Sequence, residues 1–350
     1  NSFCNFINKK KDNPTNKTVI LAVDTSLYLY KYMYSYPDFL IGFALQITRF
    51  LSYNILPVYV FEGTPPIEKN DVIKMRNDKK KKIKEKIDNL EKELVNIDNF
   101  NKKIIINKEI KRLNKQIIHV SKEDLDNLKK LFDKFNIQYI TAIGEADSMC
   151  SYLSKKKLID ACLSDDMDIL VSGCNDMIKF TSGEIIHYNL NNILKELDIT
   201  YNSFVKMCVV FGCDYVKPVP KLDNNLIYEF IKEGKDLEFI VNFVNQTYIQ
   251  NKINYLKSEN PNITDNDLSF HYRKIEDYEN AINIFIHSHE DEKLNDFKIN
   301  QHVSNTINKS TINEFFNSMC NLNIRQNRDL IKKIFYFIDN INYKIKKTLI

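Results

Sequence analysis

The sequence predicts an α/β protein with a mostly parallel central sheet, helices on both faces, a basic helical insertion and a helical C-terminal part. Three observations lead there. Short β-branched runs alternate with helical apolar spacing through the first half of the chain, the pattern of parallel strands joined by crossover helices. Those runs end, one after another, at an acidic residue. Only 7 Gly and 8 Pro in 350 residues leave little material for tight turns and favour helix over a hairpin-rich architecture.

The elements follow in order. "KTVILAVD" (17–24) reads as a buried strand ending at Asp24, and "TSLYLYKYMYSY" as a tyrosine-rich helix. Residues 38–54 have helical spacing with Asp38 near the start, and "LPVYVFEG" (56–63) is a second strand ending at an acid. Residues 67–119 are basic, polar and helical, an excursion from the sheet rather than part of it. A helix over 121–135, a strand "IQYI" (137–140) and a helix over 144–156 come next. The acid-rich "DACLSDDMDILVSG" (160–173) and a hairpin over 177–189 precede helices to the end. The expected division is a domain of residues 1–240 and a helical extension of 241–350 packing on it.

Composition excludes several classes. Hydrophobic residues make up 43% and charged residues 27%, ordinary for a soluble globular chain. No apolar run reaches the roughly 18 residues of a membrane helix, and no signal peptide opens the chain, which starts at Asn1 and reads as trimmed. The expectation is an intracellular protein without a membrane partner. The 7 cysteines are scattered without a C-x-x-C, so free, mostly buried thiols are expected rather than disulfides or a zinc site. Net charge is only +4, but residues 69–86 hold nine cations against three acids. His287 and His289 are read as solvent-facing.

In parallel sheets, ligands bind at the carboxyl ends of strands. Asp24, Glu62, Glu145, Asp166 and Asp168 fall at or just past such ends, with Asp147 nearby and Asp214 closing a later helix. Crowded carboxylates repel one another and need a counter-charge. This set is all oxygen, which favours a hard cation, Mg²⁺ or Mn²⁺. Seven acids exceed the need of one ion, so two are expected, an arrangement suited to phosphodiester hydrolysis. Solvated loop acids and helix caps are the plain alternative for any one of them.

The motifs "ILAVDTSLYLY", "PVYVFEGTPP", "GEADSMC", "SDDMDIL" and "FGCDYV" resemble, in order and rough spacing over about residues 1–240, the flap endonuclease family of 5′ nucleases. The resemblance implies a Mg²⁺-dependent, structure-specific nuclease in DNA replication, repair or recombination, with two Mg²⁺ per site for which Mn²⁺ can substitute. Asp24, Glu62, Glu145 and Asp147 would serve the first metal; Asp166, Asp168 and Asp214 the second. Asp165 would tune the site from outside. Tyr30 would stack on a base, and Lys69, Arg76 and Lys79 would grip phosphate from a helical arch and cap (67–135), Lys69 and Arg76 also acting in catalysis. Residues 214–240 would form a helix–turn–helix-like duplex contact. The implied partner is branched DNA with a 5′ single-stranded end. The protein would act as a monomer at the site of replication, the nucleus or, for a viral protein, the cytoplasm.

Departures matter. Glu62 stands where the family has Asp. Glu145, Ala146, Asp147 replaces the eukaryotic E-x-E, as in bacterial and phage relatives. The glycine-rich turn after Asp214 is absent, which puts a potassium site in doubt; Asp223, Asn224 and Asn225 are expected to supply left-handed geometry in its place. "KSTINEFF" (309–316) resembles a sliding-clamp peptide, but reads better as a capping box of Thr311 and Glu314 opening a helix. The rival functions are a 5′-to-3′ exonuclease, a junction-processing relative, a non-catalytic DNA-binding scaffold, and an RNA-cutting enzyme of the PIN type.

Overall fold

The computed structural model describes residues 18–95, 97, 99–181, 184–219, 222–260, 263–264, 272–290, 292, 298–300, 306–319 and 324–348. Cys4, Cys320 and the segment "NSFCNFINK" lie outside them. Six strands, β1 Val19–Asp24, β2 Ile55–Phe61, β3 Gln138–Thr141, β4 Ala161–Leu163, β5 Asp176–Phe180 and β6 Ile185–Asn189, lie side by side as β3-β2-β1-β4-β5-β6. The first five are parallel, and β6 returns antiparallel to β5 as the expected hairpin. Strand order reverses at β1, so the switch point lies between β1 and β4. That crevice is where a parallel sheet leaves room for a ligand.

The central strands β1, β2 and β4 are buried at every position and almost wholly apolar because both faces are covered. Leu21, Val23, Tyr59 and Phe61 face one core, and Ile20, Ala22, Val58 and Val60 the other. The first core is closed by helices α1 Thr25–Ser35 and α2 Phe39–Ser52, capped by the side chains of Asp24 and Asp38. The insertion follows as α3 Asn70–Val95 and α4 Phe100–Asn114. Ile87, Ile110 and Leu113 form a small separate cluster between these two helices. The next helix, α5 Lys122–Lys134, starts at a Ser121–Asp124 capping box and buries Leu128, Leu131 and Phe132 completely in the first core. The basic hairpin that leaves the core therefore ends near residue 119, and α5, placed with the cap on sequence, is part of the sheet layer.

The second core is closed by α6 Ala146–Lys155 and the short α7 Asp168–Val171. Helices α8 Leu190–Leu197, α9 Tyr201–Phe211, α10 Asn224–Lys232, α11 Leu237–Val244, α12 Gln250–Glu259 and α13 Ile275–His287 share a third core. The chain then returns to the first core with α14 Lys309–Met319 and α15 Ile324–Thr348. Ile312, Phe315 and Phe316 of α14 are buried there. The apolar side chains that a clamp would have to grip are thus inside the fold. The cap of α14 is Asn308, whose Oδ1 accepts from Ser310 N at 2.9 Å, and not Thr311. Among the described residues, Cys150, Cys162 and Cys174 are buried free thiols, and no helix is long and apolar enough to cross a membrane.

Candidate active site

Asp24 is the last residue of β1 and also the N-cap of α1: its Oδ1 accepts from Leu27 N at 3.2 Å. Its Oδ2 accepts from the Ser164 hydroxyl at 3.1 Å, and that same hydroxyl accepts from Asp166 N at 3.1 Å. Ser164 therefore ties the end of β1 to the loop after β4, across the switch point. Asp166 in turn accepts from Asp168 N at 3.0 Å, fixing the first turn of α7. Glu62, just past β2, accepts from Ala146 N at 2.7 Å, which couples it to the start of α6. Glu145 and Asp147 stand at that same helix start.

Gly63 makes this closeness possible. Its N–H donates to Gly144 O at 2.8 Å, and a Cβ there would overlap the carbonyls of Ala142, Ile143 and Gly144. Gly63→Ala is expected to destabilise the protein by about 2–3 kcal/mol through forced separation of the two loops. A chemical denaturation midpoint unchanged from wild type would contradict this. Gly212, at φ +105°, ends α9 and turns the chain to present Asp214.

Two cations from the insertion close the site from above. Lys69 forms an ion pair with Glu145 and another with Asp214 at 3.2 Å. Arg76 contacts both oxygens of Asp214, at 2.9 and 3.1 Å. Lys69 closes a 3-10 turn, Ile67–Lys69, that runs directly into α3, and it converges with Arg76 on Asp214. Lys79 is exposed on α3 and, among the described residues, makes no ion pair with these acids. The Tyr215 hydroxyl donates to Glu145.

The inner acids are frustrated. Burial raises Asp24, and raises Asp147 well above the usual carboxylate range, with Asp24, Asp166, Glu62 and Asp168 adding to the effect on Asp147. Burial, then the charges of Asp24 and Glu145, push Glu62 up to about 7. Burial, then Asp166 and Asp214, push Asp168 up to about 7. Burial opposes the charge on Lys69, but Glu145 and Asp214 more than offset it and lift its value. All seven acids are thus joined through Asp147 or Asp168 by mutual repulsion, while the available cations neutralise Glu145 and Asp214. Among the described residues no group of three or more His, Cys, Asp or Glu side chains is drawn together to hold a metal ion as it stands. The donor set nonetheless fits one: hard oxygens with uncompensated negative charge are what a divalent cation neutralises.

A sign follows for pH. The folded-state values of Glu62 and Asp168, about 7, lie above their ordinary 4.5 and 3.8, so the folded state holds protons that the unfolded state has released. Their contribution to stability is complete below about pH 4 and is lost as pH rises through about 7. Thermal melts in EDTA are expected to show a melting temperature a few degrees higher at pH 6 than at pH 8, with the difference shrinking in Asp168→Asn. An equal pH difference in wild type and variant would contradict the assignment.

Around the site, Tyr28 is the core tyrosine, while Tyr30 is 45% exposed with Lys80 Nζ 5.6 Å from its ring centre. Core packing therefore does not account for Tyr30. Tyr34, one turn on, is exposed beneath Lys115. Asp165 pairs with Lys31 at 3.9 Å, outside the group. Asp223 is extended (φ −67°) and caps α10, and Asn224 and Asn225 are helical, so none of the three supplies the left-handed turn expected of them. His287 is exposed beside Glu290, but His289 is half-buried against Lys155 at 3.2 Å and is not the solvated residue predicted. Sequence reading missed Ser164, Tyr215 and Glu292. The first two sit directly beside the motif acids, which was a usable signal; Glu292 lies in a segment with no motif at all.

A mostly parallel six-stranded sheet with acids near its switch point, beside a basic helical hairpin, is an α/β fold shared with the catalytic core of Rad2. The XPG N-terminal domain model matches residues 7–83, and the XPG I-region model matches residues 136–214. The two matched regions and the similarity to flap endonucleases support a place in the flap endonuclease/XPG family. It is similar to flap endonuclease 1 of Plasmodium falciparum, at 26% identity over 283 residues covering 70% of this chain and 42% of that protein. It is also similar to flap endonuclease 1 of Entamoeba histolytica, at 27% over 250 residues covering 65% of this chain and 64% of that protein. The chain thus spans less than two thirds of the length of these relatives. In fold it resembles the catalytic core of Rad2 in complex with DNA substrate (TM-score 0.62, 17% identity, 91% and 93% of the two chains). The flap endonuclease-1 of Methanococcus jannaschii is a further neighbour (TM-score 0.54, 20% identity, 93% and 94%).

Proposed function

We propose that this chain is a divalent-metal-dependent, structure-specific 5′ nuclease acting on 5′ flaps or related branched DNA in replication, repair or recombination. The observation that supports it most is the acid group at the switch point, with Lys69 and Arg76 anchored on its outer members. In this reading Asp24, Glu62, Glu145 and Asp147 would hold one Mg²⁺, and Asp166, Asp168 and Asp214 a second, with Mn²⁺ as substitute. Bound, the pair supplies Lewis-acid assistance to water attack on the phosphodiester and to departure of the 3′ oxygen.

The chain's own residues do the rest. Lys69 and Arg76 lie where a scissile phosphate would replace Glu145 and Asp214 as their partner, and there they stabilise developing negative charge. Tyr30 offers an exposed ring for stacking an unpaired base, and the lysines of α3 a cationic path for a single strand. Phosphate and stacking contacts carry no base code, so specificity rests on DNA shape. Residues 1–240 carry this chemistry, the basic hairpin serves as the arch, residues 214–240 contact duplex, and 241–350 are a helical extension; the protein acts as a monomer.

The test is cleavage of three labelled substrates with Mg²⁺: a 5′ flap, a nicked duplex and a four-way junction, with Asp168→Ala as control. Flap cleavage by wild type alone supports the reading. Mg²⁺-dependent cutting of only the nick or only the junction assigns the exonuclease or junction-processing alternative, and binding without cleavage of any substrate assigns the scaffold.

A further inference from the structure

Glu292 is 2% exposed and contacts a loop nearly half the chain away. Its Oε2 accepts from Ile143 N at 2.8 Å and its Oε1 from Gly144 N at 3.0 Å. These N–H groups belong to the loop between β3 and α6, directly before Glu145 and Asp147. The carbonyls of the same two residues are held from the opposite side, by Thr64 N at 3.0 Å and Gly63 N at 2.8 Å. Both residues are therefore gripped through both their polar backbone groups. The stretch just before Glu292 adds two contacts to α6: Ser288 Oγ to Ser148 Oγ at 2.9 Å, and His289 to Lys155 Nζ at 3.2 Å. A carboxylate is costly to bury, and here charge-assisted bonds to two backbone donors offset that cost.

We propose that Glu292 is a positioning residue for the acid-bearing loop: by fixing the backbone of Ile143 and Gly144 it sets where Glu145 and Asp147 present their carboxylates, and so sets affinity for the divalent ion. The inference rests on the metal-dependent reading of the site. Residues that orient metal ligands without touching the metal typically change affinity by about 10–100-fold when replaced. Glutamine keeps one acceptor but turns an amide donor toward the second N–H; alanine removes both.

The experiment titrates the full chain with Mn²⁺, following free ion by electron paramagnetic resonance, and measures the Mg²⁺ concentration for half-maximal flap cleavage. Glu292→Ala is expected to weaken Mn²⁺ binding and raise the Mg²⁺ requirement by about 10–100-fold, with most of kcat restored at saturating metal, and Glu292→Gln to fall between it and wild type. Should the alanine variant fail to fold, the glutamine variant carries the test by the same readouts. Metal affinity unchanged beside a lowered melting temperature would reduce Glu292 to a structural role and overturn the proposal. A wild-type chain that binds no Mn²⁺ would overturn the metal reading as well.

Discussion

Asp168→Ala is expected to lower flap cleavage by on the order of 10³-fold or more while raising the melting temperature of the metal-free protein. The two effects share one cause. Asp168 opens α7, and its backbone N–H, which anchors Asp166, survives the substitution. What is lost is a carboxylate already pushed up by burial and by Asp166 and Asp214. Its removal relieves repulsion across the acid group, including part of the strain on Asp147. In the proposed nuclease the same charge would be needed to hold the second metal. A variant that cleaves at more than a few per cent of the wild-type rate, or that melts below wild type in EDTA, contradicts this account.

Lys69→Ala should also be severely impaired, by about 10²–10³-fold in kcat, but with the opposite sign on stability. Lys69 is 18% exposed and Glu145 only 10% at their side chains, so removing the ammonium leaves Glu145 buried beside Asp214 with Arg76 as the remaining counter-charge. The expected loss is about 2 kcal/mol in EDTA, below the value for a fully buried pair because Asp214 stays partly solvated. Mg²⁺ should return more stability to this variant than to wild type, since the ion replaces the missing cation. Denaturant titrations of both proteins with and without Mg²⁺ check this; a variant as stable as wild type in EDTA would show that the ion pairs do not hold the site.

Much of the fold was legible because its signals are local. β1 and β2 are runs of apolar residues ending at acids, and α1 and α2 start at Asp24 and Asp38, whose capping chemistry is visible in the sequence. The acids at strand ends were legible for the same reason: in a parallel sheet, the end of each strand is also the rim of the crevice. What was hidden depends on distant contacts. The burial of α5 against the sheet cannot be separated by periodicity from a helix of the insertion, since both are amphipathic and lysine-rich. Glu292 carried no pattern, because its partners are backbone N–H groups, which leave no trace in side-chain spacing. The turn after Asp214 was misread because Asp223 satisfies a helix start in extended geometry, a role that competes with the left-handed one.

In the proposed reading these seven carboxylates hold two divalent ions. Crystals grown with Mn²⁺ and measured at its absorption edge test it most directly. Two anomalous peaks are expected about 4 Å apart at the switch point, each within about 2.2 Å of carboxylate oxygens from the Asp24, Glu62, Glu145, Asp147 and the Asp166, Asp168, Asp214 groups, with Lys69 displaced from Glu145. A fully occupied crystal with no peak at the switch point, and Lys69 still paired to Glu145, would contradict it.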